Sequence, residues 1–254
     1  MILLGIWLLG TGLLQAQDAP GPIRTLVIDA GHGGKDPGAL GRQYREKDIT
    51  LQVALRLRAL LRERMPELNV VMTRDTDQFV ELHRRATIAL DAGGDCFLSI
   101  HCNAHRNRSH RGATSYILGI NEGQEGYEHV IAENEAILFE DNYRSMYGGF
   151  NPSSPEGFIY LQLLKNSFRS ESLRLAGGIQ QQLQAAMDRG DRGVRQAPFV
   201  VLYLSGMPAV LCEIGFISNA QEEQFIGSEL GQIYIAQSLF RAIEAYNRSF
   251  TEGE

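Results

Sequence analysis

Residues Arg24 to Asp48, RTLVIDAGHGGKDPGALGRQYREKD, decide how the rest of the chain is read. Leu26-Val27-Ile28 is a short apolar run that ends in Asp29, opens into glycine-rich chain carrying His32, and reaches Glu46 just before a helical pattern begins. That order is strand, open loop, helix start. A strand that empties into a glycine loop sets side chains at the rim of a sheet, where His32 and Glu46 are the two able to bind a metal.

Working outward, ITLQVALRLRALLRERM (Ile49 to Met65) carries apolar residues at both alternate and helical spacings; its length and its Leu, Ala and Arg content select a helix, closed by Pro66. Leu68 to Thr73 is a β-rich run, and Phe79 to Leu90 has helical spacing up to Gly93-Gly94. Cys96 to Ile100 reads as the next strand and ends in His101, so a second histidine stands at a strand end. Ala113 to Leu118 is a further strand, Leu173 to Met187 a helix, Phe199 to Tyr203 and Ala209 to Cys212 strands around a Gly206-Met207-Pro208 turn, and Ile233 to Tyr246 a closing helix. Strands alternating with helices predict an α/β fold: a single-domain mixed β-sheet with helices on both faces. Between Gly119 and Phe168 the chain turns polar and acidic, which reads as a helical insertion into that fold; Glu128 to Asp141 has the character of its helix, with Glu133 and Glu140 about two turns apart on one face.

At 254 residues with 44% hydrophobic composition, the chain can bury one large core but not two full domains. A net charge of −6 with both signs interspersed gives no general attraction to nucleic acid or to an anionic membrane, and neither is expected as a partner. Residues 1–20 stand apart: Ile2 to Leu14 is almost wholly apolar and is followed by small residues and Pro20, the pattern of an export signal cut near Ala16, although the n-region has no Lys or Arg. The apolar run is shorter than a bilayer span, and no Cys closes it to accept a lipid, so no stable membrane anchor is expected. Residues 21–254 then form the catalytic-sized domain, exported and placed most naturally in a periplasm or at a cell wall. Cys96, Cys102 and Cys212 are odd in number and lack CxxC spacing, so they read as small apolar fillers.

His32, Glu46 and His101 are three N or O donors at strand or helix ends, the number a hydrolytic zinc site takes while leaving one position open. Taken singly each has an ordinary reading, a hydrogen-bonded histidine or a carboxylate favourable to a helix dipole. Glu213, at the tip of the apolar run PAVLCEIGFISN, is a carboxylate whose burial should raise its proton affinity, which suits a base that takes a proton from the attacking water and returns it to a leaving amine. The remaining histidines, His83, His105, His110 and His129, read as solvated residues. Rival motifs fail on spacing: Lys35 is followed by Asp36 where a phosphate loop needs Ser or Thr, Asp36 stands where the third glycine of a dinucleotide loop belongs, and neither G-x-S-x-G nor H-E-x-x-H is present.

The segments VIDAGHGGKDPGA, REKD, SIHCNA, RGVRQAPFVVL and MPAVLCEIGFISN, in that order from Thr25 to about Asn247, resemble the zinc-dependent N-acetylmuramoyl-L-alanine amidases. The resemblance implies one zinc ion held by His32, Glu46 and His101, a catalytic Glu213, and hydrolysis of the amide between muramic acid and the first L-alanine of peptidoglycan, in wall remodelling or daughter-cell separation. Asn103 and Arg192 lie in matching motifs and are candidates to orient substrate or the ligands. The insertion, 119–168, is similar to one in cell-separation amidases, where a helix covers the site and lends a glutamate to the zinc until an activator displaces it; here Glu133 is the first candidate and Glu140 the second. Two other classes fit part of the pattern: a zinc exopeptidase acting on free peptides, and an inactive wall-binding regulator.

Overall fold

In the parallel run of the sheet, β3 (Cys96–Asn103) and β6 (Ala209–Phe216) are buried from end to end, as is β1 (Thr25–Ala30) apart from its first residue. Strands buried on both faces belong in the interior of a parallel sheet covered by helices, and that is where the computed structural model has them. It describes residues 21–119, 127–142, 168–186 and 190–251; the N-terminal segment read as an export signal lies outside these, as does most of the insertion. The strand order is β2-β1-β3-β6-β4-β5, with β2 (Asn69–Met72), β4 (Ala113–Leu118) and β5 (Asp191–Ala197). β2, β1, β3 and β6 are mutually parallel, β4 runs antiparallel to β6, and β5 is parallel to β4.

Alternation along these strands sorts side chains onto two faces. Leu26, Ile28, Leu98, Ile100, Val210, Cys212 and Ile214 join the larger core, under α1 (Glu46–Arg64), α4 (Arg169–Ala186) and α7 (Glu229–Thr251). Val27, Phe97, Tyr116, Ala209 and Leu211 face the smaller core, against α2 (Leu82–Asp91) and α5 (Val200–Ser205), with Val130 of α3 (Tyr127–Asn134) reaching in. A mixed sheet flanked on both faces is thus the architecture, completed by α6 (Ala220–Gly227) before α7. The three cysteines are buried and free, and Cys102 packs in the larger core with its thiol pushed well above its ordinary pKa by burial and the nearby carboxylates. Among the described residues no helix is long and apolar enough to cross a membrane.

Two expectations need correction, and one strand stands where the sequence pattern suggests none. Phe199 to Tyr203 is not a strand: Val200–Ser205 is a helix, and its run of large apolar residues hides any period because Val200, Val201 and Leu202 are buried in succession. Its first free amide, Val200 N–H, donates to Asn134 Oδ1 at 2.9 Å, and Gly206 closes it in the left-handed conformation at φ 65°. Conversely, Asp191–Ala197 is a strand despite its polar sequence, because at the sheet edge only one neighbour, β4, has to be satisfied. The helix expected over Glu128 to Asp141 is α-helical only to Asn134 and tightens into a 3-10 turn over Glu135–Phe139, which rotates Glu140 off the face that Glu133 occupies.

Candidate functional site

The parallel strands end together, and the loops beyond them converge on the smaller-core face, the usual place for a site in such a sheet. β1 delivers Asp29 and then the glycine loop. Asp29 is buried and accepts from Arg85 Nη1 at 2.7 Å, Thr73 Oγ1 at 2.6 Å and Ser99 Oγ at 2.7 Å; burial opposes its charge, but Arg85 and the two hydroxyls hold its pKa below the ordinary value. Arg85 also donates to the carbonyls of Ala30 and His32, and Arg74 to those of Ala30, Gly31 and Lys47. Two buried guanidinium groups therefore hold the loop by its backbone, and with it the His32 side chain. His32 itself has φ 61°, the one non-glycine residue in the positive-φ region among the described residues. Such strain persists only where the surroundings over-determine it, and here it aims a side chain.

His32 Nε2 lies 3.1 Å from Glu46 Oε1 and 3.3 Å from Glu133 Oε2, while His101 Nδ1 lies 3.1 Å and 2.9 Å from the same two oxygens. Four donors at ~2.0–2.1 Å from a tetrahedral divalent ion sit about 3.3 Å apart, so the spacing is that of a metal cage. The supporting contacts agree. His32 Nδ1 pairs with Asp36 Oδ2 at 2.8 Å, which turns Nε2 inward, and Glu46 Oε2 accepts from Ala39 N–H at 2.8 Å. His32 Nε2 and Glu133 Oε2 are buried without a hydrogen-bond partner, as ligand atoms awaiting a cation would be. A Cβ at Gly31 would fall 2.5 Å from the His101 ring, and one at Gly38, where φ is +63°, 2.6 Å from that of His32; the glycines leave room for the two imidazoles.

Charge accounts for the rest. Burial lowers the proton affinity of the histidines, but the carboxylates beside them prevail: Glu46 and Glu133 raise His32 well above its ordinary pKa, and Glu133 raises His101 to about 10. Burial works against Glu46, yet the histidines bring it down to about 2, and they hold Glu133 well below the ordinary carboxylate range. Two carboxylates and two imidazoles can be balanced by two protons or by one divalent cation. At pH 7 cation binding should accordingly release close to two protons. Titration calorimetry in buffers of different ionisation enthalpy measures this number, and a release near zero would contradict the arrangement.

Glu213 stands beside this cage. β3 and β6 pair His101 directly with Glu213, and the Glu213 side chain is fully buried. Burial raises its pKa, the more so with Glu133 nearby, and His129 partly offsets this: Nε2 of His129 lies 2.6 Å from Glu213 Oε1. His129, expected to be solvated, is instead almost covered, and Glu213 raises its pKa to about 9 against the effect of burial. Its position four residues before Glu133 on α3 was the available signal, since i and i+4 share a helix face. One helix therefore presents Glu133 to the ligands and His129 to the carboxylate.

Glu140 does not reach the cage. Its Oε1 accepts from Leu82 N–H at 2.8 Å, at the start of α2, and its Oε2 lies 2.9 Å from His83 Nδ1. With Asn134, which also donates to Pro198 O at 3.1 Å, it fastens the insertion to the domain. Asn103 is buried at the end of β3, two residues beyond His101, and Arg192 lies over the Phe216 ring, 5.2 Å from its centroid.

The N-acetylmuramoyl-L-alanine amidase family model matches residues 26–245. AmiC of Escherichia coli O6:H1 strain CFT073 is 30% identical over 241 residues, which cover 91% of this chain and 56% of AmiC. AmiA of Escherichia coli K12 is 29% identical over 227 residues, 88% of this chain and 76% of AmiA. The chain thus spans little more than half of the first relative and about three quarters of the second. Among solved structures, the amidase of Clostridium difficile 630 aligns with a TM-score of 0.65 at 27% identity, over 89% of this chain and 97% of that one. The CwlD amidase of Clostridioides difficile, solved in complex with the GerS lipoprotein, also gives 0.65, at 25% identity over 89% and 99%. A family match across most of the chain, on a fold shared with solved amidases, establishes that the chain belongs to the N-acetylmuramoyl-L-alanine amidase family.

Proposed function

We propose that this protein hydrolyses the amide bond between N-acetylmuramic acid and L-alanine in peptidoglycan, with one zinc ion per chain held by His32, Glu46 and His101, and Glu213 as the group that moves protons. The observation that carries this reading is the pairing of His101 with Glu213 on adjacent strands, which sets a buried carboxylate next to a four-donor cage. Zinc, when bound, lowers the pKa of a coordinated water toward ~7 and polarises a carbonyl. Glu213 takes the proton of the attacking water, and the raised affinity that burial gives it lets the same carboxyl return that proton to the departing amine of L-alanine. Arg74 and Arg85 keep the His32 loop in place throughout. Asn103 and Arg192 are assigned to substrate orientation.

The insertion is assigned as a built-in inhibitor: Glu133 takes the fourth position of the cage, where water or substrate carbonyl has to enter, and His129 occupies the base. An activator that lifts α3 would clear both at once. CwlD, solved with a lipoprotein partner, shows that a family member can be bound by another protein. Export through residues 1–20 would bring the enzyme to its substrate in the periplasm or cell wall. Mass spectrometry of purified sacculi digested with the zinc-loaded protein should find free stem peptides beginning with L-alanine, and chelation should abolish them. Cleavage of free peptides but not of muramoyl peptides would indicate an exopeptidase instead, and a protein that never binds metal would indicate a regulator.

A further inference from the structure

Among the described residues, four buried side-chain atoms are left without a hydrogen-bond partner: two belong to the cage, and the others are Glu213 Oε2 and Thr114 Oγ1. Thr114 and Glu213 are register partners in the antiparallel pair of β4 and β6, as Tyr116 and Leu211 are two residues along, and the latter two share the smaller core. Thr114 and Glu213 therefore project from the same face of the sheet. Residues directly opposite in such a pair have Cβ atoms about 4.5–5.5 Å apart, within reach of a hydroxyl and a carboxylate. Both residues are 0% exposed, so water does not serve either atom from the surface.

An unsatisfied buried hydroxyl is costly, and valine would fill the same volume in a strand without that cost. The hydroxyl needs a use that the docked insertion conceals. We propose that Thr114 is the positioning residue of Glu213, an inference that rests on the reading of Glu213 as the base: once α3 withdraws His129 from Oε1, the Thr114 hydroxyl bonds the carboxyl group and fixes its rotamer. A hydroxyl suits both halves of the proton transfer, because it donates to an ionised carboxylate and, after rotation, accepts from a protonated one. A backbone N–H or an imidazolium, which can only donate, cannot alternate in this way.

The test uses the zinc-loaded full chain carrying His129→Ala and Glu133→Ala, which uncovers the base, and a soluble muramoyl peptide. Adding Thr114→Val should lower kcat about tenfold with KM within about twofold, because it misplaces a proton-transfer group and leaves substrate contacts alone. Its Tm should be unchanged or higher, and Thr114→Ser should restore kcat. Unchanged kcat in Thr114→Val, when Glu213→Gln in the same background is inactive, overturns the role of Thr114 alone. An active Glu213→Gln overturns the base and Thr114 together. A crystal structure of the uncovered background gives a reading independent of turnover: Thr114 Oγ1 within about 3.2 Å of a Glu213 oxygen supports the inference, and a gap above about 4 Å refutes it.

Discussion

Glu213→Gln should fold, bind one zinc ion per chain and lose at least ~1,000-fold in amide hydrolysis, within the range that a positioned acid-base group supplies. Glutamine has the same shape, and its carbonyl oxygen can still accept from His129 Nε2, so the packing of β6 is not disturbed. The ligands stay intact because Glu213 is not among the residues of the four-donor cage. What is lost is the ability to hold a proton. In the native chain burial raises the pKa of Glu213 while His129 limits the rise, so the carboxyl holds a proton more readily than an exposed one. Glutamine has no such equilibrium. Turnover close to that of the wild type, measured with zinc content confirmed in the same sample, would remove Glu213 from the mechanism and leave the cage as a metal site without a base.

Much of this site could be read before any fold was known, because its residues come at the ends of strands with strong local signatures. Leu26-Val27-Ile28, CFLSI and PAVLC are short apolar runs of the kind that strands buried on both faces use in an α/β protein, and each is followed within a few residues by His32, His101 or Glu213. The parts that stayed hidden depend on contacts between segments far apart in the chain. Arg85 looks like a surface residue of an amphipathic helix until Asp29, 56 positions earlier, is brought 2.7 Å from it. Val200–Ser205 looks like a strand until a side chain from the insertion, Asn134, supplies the hydrogen bond that starts its helix. His129 carries no signal beyond its spacing from Glu133, and only the docking of α3 brings it to Glu213. Glu133 and Glu140 could not be ranked by helical spacing, because the chain changes to 3-10 geometry after Asn134 and Glu140 bonds the start of α2 instead.

The full chain carrying both His129→Ala and Glu133→Ala should digest purified sacculi without any activator, at a rate ~10- to 100-fold above that of the wild type. The estimate counts a single contact, as a lower bound: a buried hydrogen bond to a charged group contributes about 1.5–3 kcal/mol, and each 1.4 kcal/mol is a factor of ten in the docking equilibrium. Because the two residues sit on one helix and leave together, each single variant should raise the rate by shifting the same equilibrium, and the double variant should approach the rate of a fully opened site. Glu133→Ala should have the larger single effect, since in the docked state it alone frees the fourth position of the cage while His129→Ala leaves that position filled. Glu140→Ala provides a separate check. It touches neither metal ligands nor base, yet it removes the anchor between the insertion and the start of α2, so it should also activate. Activation by Glu133→Ala without activation by Glu140→Ala would mean that the glutamate competes locally and the helix need not move. No activation in the double variant, with zinc bound and Glu213 intact, would mean that α3 is not what restrains the enzyme, and that the resting contacts at Glu133 and His129 give way to substrate unaided.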